Sequence, residues 1–261
     1  MSPLPAAQRW REELAAWAIP EEILAAAPES PWGFPVELFR VSEASAPPET
    51  PSRRRALEAL PEGGSVLDVG CGGGAASLAL LPRAARLVGV DPSADLLAEF
   101  AAAADRRGVR HEEVLGRWPD SAGAVEWADV VVCHHVTYNV PALATFANAL
   151  ADRARRRVVV EMTDRHPMTS TSDLWRHFHG ITRPSGPDVA LAVAVLADAG
   201  IPVNEEPFQR PARDLPRAVV VAATRRRLCL TSDRDGEIDA VLPRDYTFPA
   251  RTATCLWWDK E

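Results

Sequence analysis

The chain has 261 residues, 47% hydrophobic and 25% charged, with a formal net charge of −7. That length suits one α/β domain with an added segment, or two small domains, and the apolar share suffices for a sizeable core. The acidic balance argues against a protein that tracks a phosphate backbone, and the basic runs at Arg153–Arg157 and Arg225–Arg227 read as solvated helix ends or turns.

Four cysteines, Cys71, Cys133, Cys229 and Cys255, form no CxxC pair and read as reduced thiols of a cytoplasmic protein. The N-terminus has no basic segment followed by an apolar core, and no apolar run reaches the length of a membrane span.

Residues 1–50 read as a separate helical arm, and residues 51–261 as the main domain. Trp10, Leu14, Trp17 and the pair Ile23–Leu24 fall at near-helical spacing. Pro20 can open a second short helix. Pro31-Trp32-Gly33-Phe34-Pro35, Phe39 and a Pro- and Ser-rich linker over Ser45–Ser52 follow. The arm packs on the domain, covers a pocket as a lid, or does both.

From residue 60 strands and helices alternate. Ser65–Val69 is an apolar strand, Gly70–Gly74 a glycine turn, and Ala75–Leu81 a helix. Arg86–Val90 is a second strand, and Ser93 caps a helix to about Arg107. Val109–Leu115, Asp129–Cys133 and Arg157–Met162 are further strands, with helices over Pro141–Arg153 and Pro187–Ala199. Ile201–Phe208 reads as a sixth strand. Ala218–Leu230 has a β-branched run that favours strand, with helix as the alternative; Asp233–Leu242 is a weak helix, and Thr252–Trp258 a last strand. The alternation predicts a doubly wound, Rossmann-like sheet with helices on both faces.

The strongest motif is Val66-Leu67-Asp68-Val69-Gly70-Cys71-Gly72-Gly73-Gly74. Glycines at a strand-to-helix turn let backbone approach a ligand, and the helix start offers free N–H groups. Gly70, Gly72 and Ala75 alone would satisfy a dinucleotide fingerprint. Asp68 argues otherwise, because its carboxylate would repel a pyrophosphate but attract an ammonium or a sulfonium. A second motif is Gly89-Val90-Asp91-Pro92-Ser93. Asp91 ends the second strand, where a carboxylate can accept both ribose hydroxyls.

VLDVGCGGG followed by GVDPS resembles the first two motifs of class I S-adenosylmethionine-dependent methyltransferases, over roughly residues 60–200. The resemblance implies a mostly parallel seven-stranded sheet with an antiparallel last strand, and S-adenosyl-L-methionine as cofactor. It implies that Asp68 and the Gly70, Cys71 and Gly72 backbone hold the methionine part, and that Asp91 beside Pro92 holds the ribose. Where the family often has an acid near the adenine, this chain has Arg117, followed by Trp118. Trp118 either stacks on the adenine or fills core. His134 joins the cofactor set.

Cys133-His134-His135-Val136-Thr137-Tyr138-Asn139 follows the fourth strand, and Glu161-Met162-Thr163-Asp164-Arg165-His166-Pro167 ends the fifth. Ligands of open α/β sheets sit at these carboxyl ends. Five of the six histidines fall between 134 and 179. An oxygen or nitrogen acceptor can need a base, and His135 or His166 is the candidate. Glu161, Asp164, His135 and His166 could converge, yet no metal-ligand signature accompanies them and no metal is expected. The long connection Thr163–Gly186 could help to cover an acceptor. The expected function is methyl transfer to a small molecule at oxygen or nitrogen. The alternatives are a methyltransferase for protein or RNA, which acidic charge disfavours in the RNA case, and an NAD(P)-dependent oxidoreductase.

Overall fold

The computed structural model of the chain describes residues 4–32, 47–210, 215–244 and 251–260. The Gly33–Pro35 and Phe39 part of the arm, and the start of the expected linker, lie outside these residues. In chain order the elements are α1 (Ala6–Ala15), α2 (Glu21–Ala26), α3 (Pro51–Ala59), β1 (Gly64–Val69), α4 (Ala75–Leu78), β2 (Ala84–Asp91), α5 (Ala94–Arg106), β3 (Arg110–Leu115) and β4 (Ala128–His134). There follow α6 (Leu143–Arg153), β5 (Ala154–Thr163), α7 (Ser172–His179), α8 (Val189–Asp198), β6 (Asn204–Arg210), α9 (Arg217–Arg227), α10 (Asp235–Val241) and β7 (Arg251–Asp259).

The seven strands form one sheet in the order β3-β2-β1-β4-β5-β7-β6. β1 to β5 run parallel, and β7 is antiparallel to both β5 and β6. The antiparallel last strand and the helices on both faces match the expected fold. On one face, Leu67, Val131, Val158, Val160 and Trp258 pack against α1, α6 and α8. On the other, Val66, Leu87, Val130, Val132 and Val159 pack against α3 and α5. Alternation along each strand thus splits one apolar run between two cores, as a doubly covered sheet requires.

Three elements depart from the sequence expectation. Pro51–Ala59 is helical although the linker was drawn across its start. Thr50 caps it by accepting from the Arg53 N–H at 3.1 Å, with Pro51 in the first turn. Ser172–His179 is a helix inside the long connection, closed by Gly180 at φ 68°. The Ala218–Leu230 segment is a helix rather than a strand. Of its five buried residues, Val220, Ala223, Thr224 and Arg227 fall at the i, i+3, i+4, i+7 spacing and Val221 lies beside them, and that stripe overrides the β-branched preference.

A third apolar cluster joins Ile19 to Leu174 and Trp175 of α7, Val220 and Val221 of α9, and Ile238 of α10. These helices therefore form one cap with the arm. The arm is also part of the main core: Trp10 is 0% exposed and its Nε1 donates to the Val140 carbonyl at 2.8 Å. Both basic runs are largely paired within the chain. Arg157 pairs with Asp259 and Glu58, Arg225 with Asp235, and Arg226 donates to the Ser30 carbonyl. Among the described residues no helix is long and apolar enough to cross a membrane.

Candidate active site

The glycine turn sits where β1 lies between β2 and β4. The Gly70 and Cys71 N–H groups both donate to the Val90 carbonyl, at 2.8 and 3.1 Å. Gly70, Gly72 and Gly74 have φ of 71°, 52° and 83°, a region that side-chain-bearing residues rarely enter. A Cβ on Gly70 would collide with the Val136 side chain. Gly70→Ala is therefore expected to cost about 2–4 kcal/mol in strain and overpacking. Denaturant unfolding of the variant measures this; a loss below about 0.5 kcal/mol would contradict it.

Asp91, 7% exposed, closes β2. Its Oδ2 accepts from the Gly72 N–H at 3.0 Å and its Oδ1 from the Ser93 N–H at 2.9 Å. Ser93 in turn caps α5 through the Leu96 N–H. The carboxylate is thus fixed by two backbone donors, and each oxygen keeps capacity to accept again. Pro92 beside it is exposed. Leu115 of β3 pairs beside Asp91, and the Gly116 N–H donates to the Asp91 carbonyl at 3.1 Å. This brings the turn carrying exposed Arg117 and half-buried Trp118 to the same strand ends. Trp118 packs against the core on one side.

Asp68 does not face the cleft. It is 1% exposed and accepts from the Ser77 hydroxyl at 2.7 Å and the Ser77 N–H at 3.2 Å. Burial pushes its carboxyl up to about 6, against the opposing Ser77 hydrogen bonds and with a further push from Asp91. The expected direct hold on an ammonium is corrected by this placement: Asp68 lies beneath the turn and ties it to α4, because its side chain points to the face covered by α4 and α5.

A second group assembles at the ends of β4, β5 and β6. His134 and Glu161 are register partners on β4 and β5, and Glu161 opposes Cys255 on β7. His135 has φ 61°, and its N–H donates to the Glu161 carbonyl at 2.7 Å. Its Nε2 lies 3.0 Å from Glu161 Oε1. Arg210 Nη1 donates to the same oxygen at 3.0 Å and touches His135 Nε2. His134 Nδ1 stands 3.9 Å from Glu161 Oε2, so His134 groups with this cluster rather than with Asp91. Burial would raise the Glu161 carboxyl, but His134, His135 and Arg210 outweigh it and hold the group well below the usual carboxylate range. Burial pushes His134 down to about 4, with Glu161 opposing and His135 and Arg210 adding to the shift. His134 is therefore neutral near pH 7, and Arg210 is a permanent cation beside Glu161. Sequence reasoning named Glu161 only as one possible metal ligand and missed Arg210. The pairing of β6 with β7, and of β7 with β5, brings Arg210 here. Among the described residues, no group of three or more metal-ligating side chains is placed to hold an ion.

The structure separates the two candidate bases. His166 is 5% exposed, stacked on Trp17 with ring centroids 4.1 Å apart, and edge-on to Tyr138 at 5.7 Å. Its Nδ1 accepts from the Met168 N–H. A ring enclosed by two aromatics, with one nitrogen already used locally, is a wall of the cap rather than an open base. Arg183 fastens the arm above it. Its guanidinium lies over Trp17 and Trp175 and donates to the Trp17 and Ala18 carbonyls, while Trp17 Nε1 donates to the Gly186 carbonyl. Burial, with Arg183 and Arg227 nearby, pushes His166 down to about 4. Its folded value lies below the unfolded value near 6.5, so its contribution is present above about pH 6.5 and is lost as pH falls toward 4. The loss amounts to about 3 kcal/mol. Thermal melts at pH values across that window should fall less steeply in His166→Gln than in the wild type. Parallel curves would contradict the assignment.

The fold and the glycine–Asp91 geometry define a class of protein: a doubly wound α/β domain with a glycine turn and a fixed carboxylate at the carboxyl ends of its central strands. Residues 66–157 match the methyltransferase domain family. Over that third of the chain the sequence is similar to methyltransferase domains. A curated relative, ubiquinone biosynthesis O-methyltransferase of Azorhizobium caulinodans, is 37% identical over 92 residues, 35% of this chain. The match spans about a third of that relative's length. Among solved structures, magnesium protoporphyrin IX methyltransferase from Synechocystis PCC 6803 with bound SAH aligns at a TM-score of 0.50 and 19% identity, covering 80% of this chain and 78% of that one. The YcgJ protein of Bacillus subtilis aligns at 0.54 and 14% identity, covering 80% and 98%. Both share the fold.

The residues present fit the family's cofactor, S-adenosylmethionine. A turn where a Cβ has no room, a fixed carboxylate ending β2 and an aromatic ring beside β3 suit backbone approach, a ribose and a planar base respectively.

Proposed function

We propose that this protein transfers a methyl group from S-adenosylmethionine to a small-molecule acceptor, at oxygen or nitrogen. The observation that carries the reading is the adjacency of two chemically distinct groups along one sheet edge. Asp91 and the glycine turn stand at β1 and β2, and the His135–Glu161–Arg210 cluster stands at β4 to β6. The curated relative's name, an O-methyltransferase, supports oxygen as the acceptor.

Gly70, Cys71 and Gly72 would hold the methionine part through their backbone, with Asp68 bracing the turn from below. Asp91 and Pro92 would hold the ribose, and Arg117 and Trp118 the adenine. When bound, the cofactor supplies an electrophilic methyl on a sulfonium sulfur. His135 takes the proton that an acceptor hydroxyl or ammonium loses, and its ring, half-buried where that of His166 is buried, makes it the better of the two candidate bases. The described part of the arm, α1 and α2, acts with α7 as the cover that excludes water. Because Trp10 belongs to the main core, this cover is anchored at one end rather than detachable.

The test incubates the protein with methyl-labelled S-adenosylmethionine and panels of phenols, catechols and amines, alongside bulk RNA and a protein extract. Label in a small molecule, reduced at least tenfold in His135→Ala, supports the reading. Label confined to RNA or protein overturns it.

A further inference from the structure

We propose that the cap carries a seat for a small organic anion, a carboxylate, held by the Arg183 guanidinium and the Trp175 indole N–H. The seat is distinct from the glycine turn and from the His135–Glu161–Arg210 cluster. Binding there does not depend on the methyl-transfer reading.

Three observations carry it. First, Arg183 is a buried cation, 8% exposed, whose Nη1 and Nη2 donate to neutral groups, the Ala18 and Trp17 carbonyls. Among the described residues no carboxylate faces it. Burial pushes the guanidinium below its ordinary pKa, and the group that opposes the shift is the Cys229 thiol. A charge taken out of water is costly unless it is paired, and the cap leaves that partner to be supplied. Second, further donors beside it lack acceptors. Arg183 Nε, Trp175 Nε1 and the Ser172 hydroxyl are buried and have no hydrogen-bond partner among the described residues. Trp175 is fully buried and stands one turn after Ser172 on α7. Buried donors in folded proteins are nearly always satisfied, so several orphans beside one cation mark the place of an acceptor from outside the chain.

Third, the walls select the kind of anion. The guanidinium carbon lies 5.2 Å from the Trp17 ring centre and 4.8 Å from that of Trp175. His166 continues the stack on Trp17, and His179 on Trp175. The charge of Arg227 also reaches His166 and adds to the positive field. Flat aromatic walls suit a planar, weakly hydrated group, and a guanidinium matches a carboxylate in shape as well as charge. The link between α1 and α2 carries Trp17 and Ala18 and shields the seat. A ligand therefore enters by a local shift of that link, while Trp10 keeps α1 in the core.

The experiment measures the melting temperature of the full chain as sodium benzoate replaces sodium chloride at constant ionic strength, with benzamide as the neutral control. Benzoate should raise it saturably, by about 5 °C or more at about a hundred times its Kd, and benzamide should not. Trp175→Phe keeps a ring in the stack and removes the N–H. It should weaken benzoate binding about tenfold, the effect of one hydrogen bond to a charged group. Arg183→Lys keeps the charge but loses the planar fork, and should abolish the shift. No saturable shift with benzoate, an equal shift with benzamide, or unchanged benzoate affinity in Trp175→Phe would overturn the proposal. Should Arg183→Lys fail to fold, the wild type and Trp175→Phe decide. Methyl transfer to phenolic carboxylic acids in preference to matching neutral phenols, lost in Arg183→Lys, would place the carboxylate on the methyl acceptor. Stabilisation by benzoate without that preference would place it on a separate small acid. A chain that binds no S-adenosylmethionine yet gains stability from benzoate would remove the functional reading and keep the seat.

Discussion

Asp91→Ala is expected to weaken S-adenosylmethionine binding by about a hundredfold or more. Two ribose hydroxyls donating to one carboxylate are worth about 1.5–3 kcal/mol each, so their combined loss of about 3–6 kcal/mol corresponds to roughly 10²–10⁴ in affinity. The side chain also accepts from the Gly72 and Ser93 N–H groups, so its removal loosens the turn that the ligand must meet. Asp91→Asn separates the two effects. The amide oxygen can still accept from one of those donors, so the turn should survive better while ribose binding still falls. Titration calorimetry of both variants checks this; wild-type affinity in Asp91→Ala would contradict the placement of the ribose.

Trp10→Ala should destabilise the protein by about 3–5 kcal/mol, a drop of roughly 10 °C in melting temperature. Trp10 is fully buried between α1 and the core of the main domain, and the change also strips the Val140 carbonyl of its indole donor. Val140 follows the segment that carries His135, so the arm and the acceptor end share a wall. The predicted signature is a single cooperative transition at lower temperature. A two-step melt, with the first step confined to the arm, would show instead that the arm folds as an independent flap.

Most of the sheet was legible because its strands are short β-branched or apolar runs between turn residues, as in Asp129–Cys133 and Arg157–Met162. Ser93 announced α5 as a cap, and Asp91 stood at the end of β2 by spacing alone. What stayed hidden depends on tertiary pairing. Arg210 reaches Glu161 only because β7 inserts antiparallel between β5 and β6, and no local pattern encodes that order. Asp68 was read as facing a ligand because charge at a glycine turn suggests it. Its partner, Ser77, lies nine positions on, and side-chain direction on β1 decides the matter. His166 was indistinguishable from His135 in sequence, since both follow apolar strands. The arm residue Trp17, 149 positions away (166 − 17), is what encloses it. The α9 segment shows helical burial spacing overriding a β-branched run.

The most direct test of the account is titration calorimetry of the wild-type protein with S-adenosylmethionine, S-adenosylhomocysteine and NADH. The account predicts saturable binding of the first two and none of the third. Preference for NADH, or no binding of either adenosyl ligand, would contradict it.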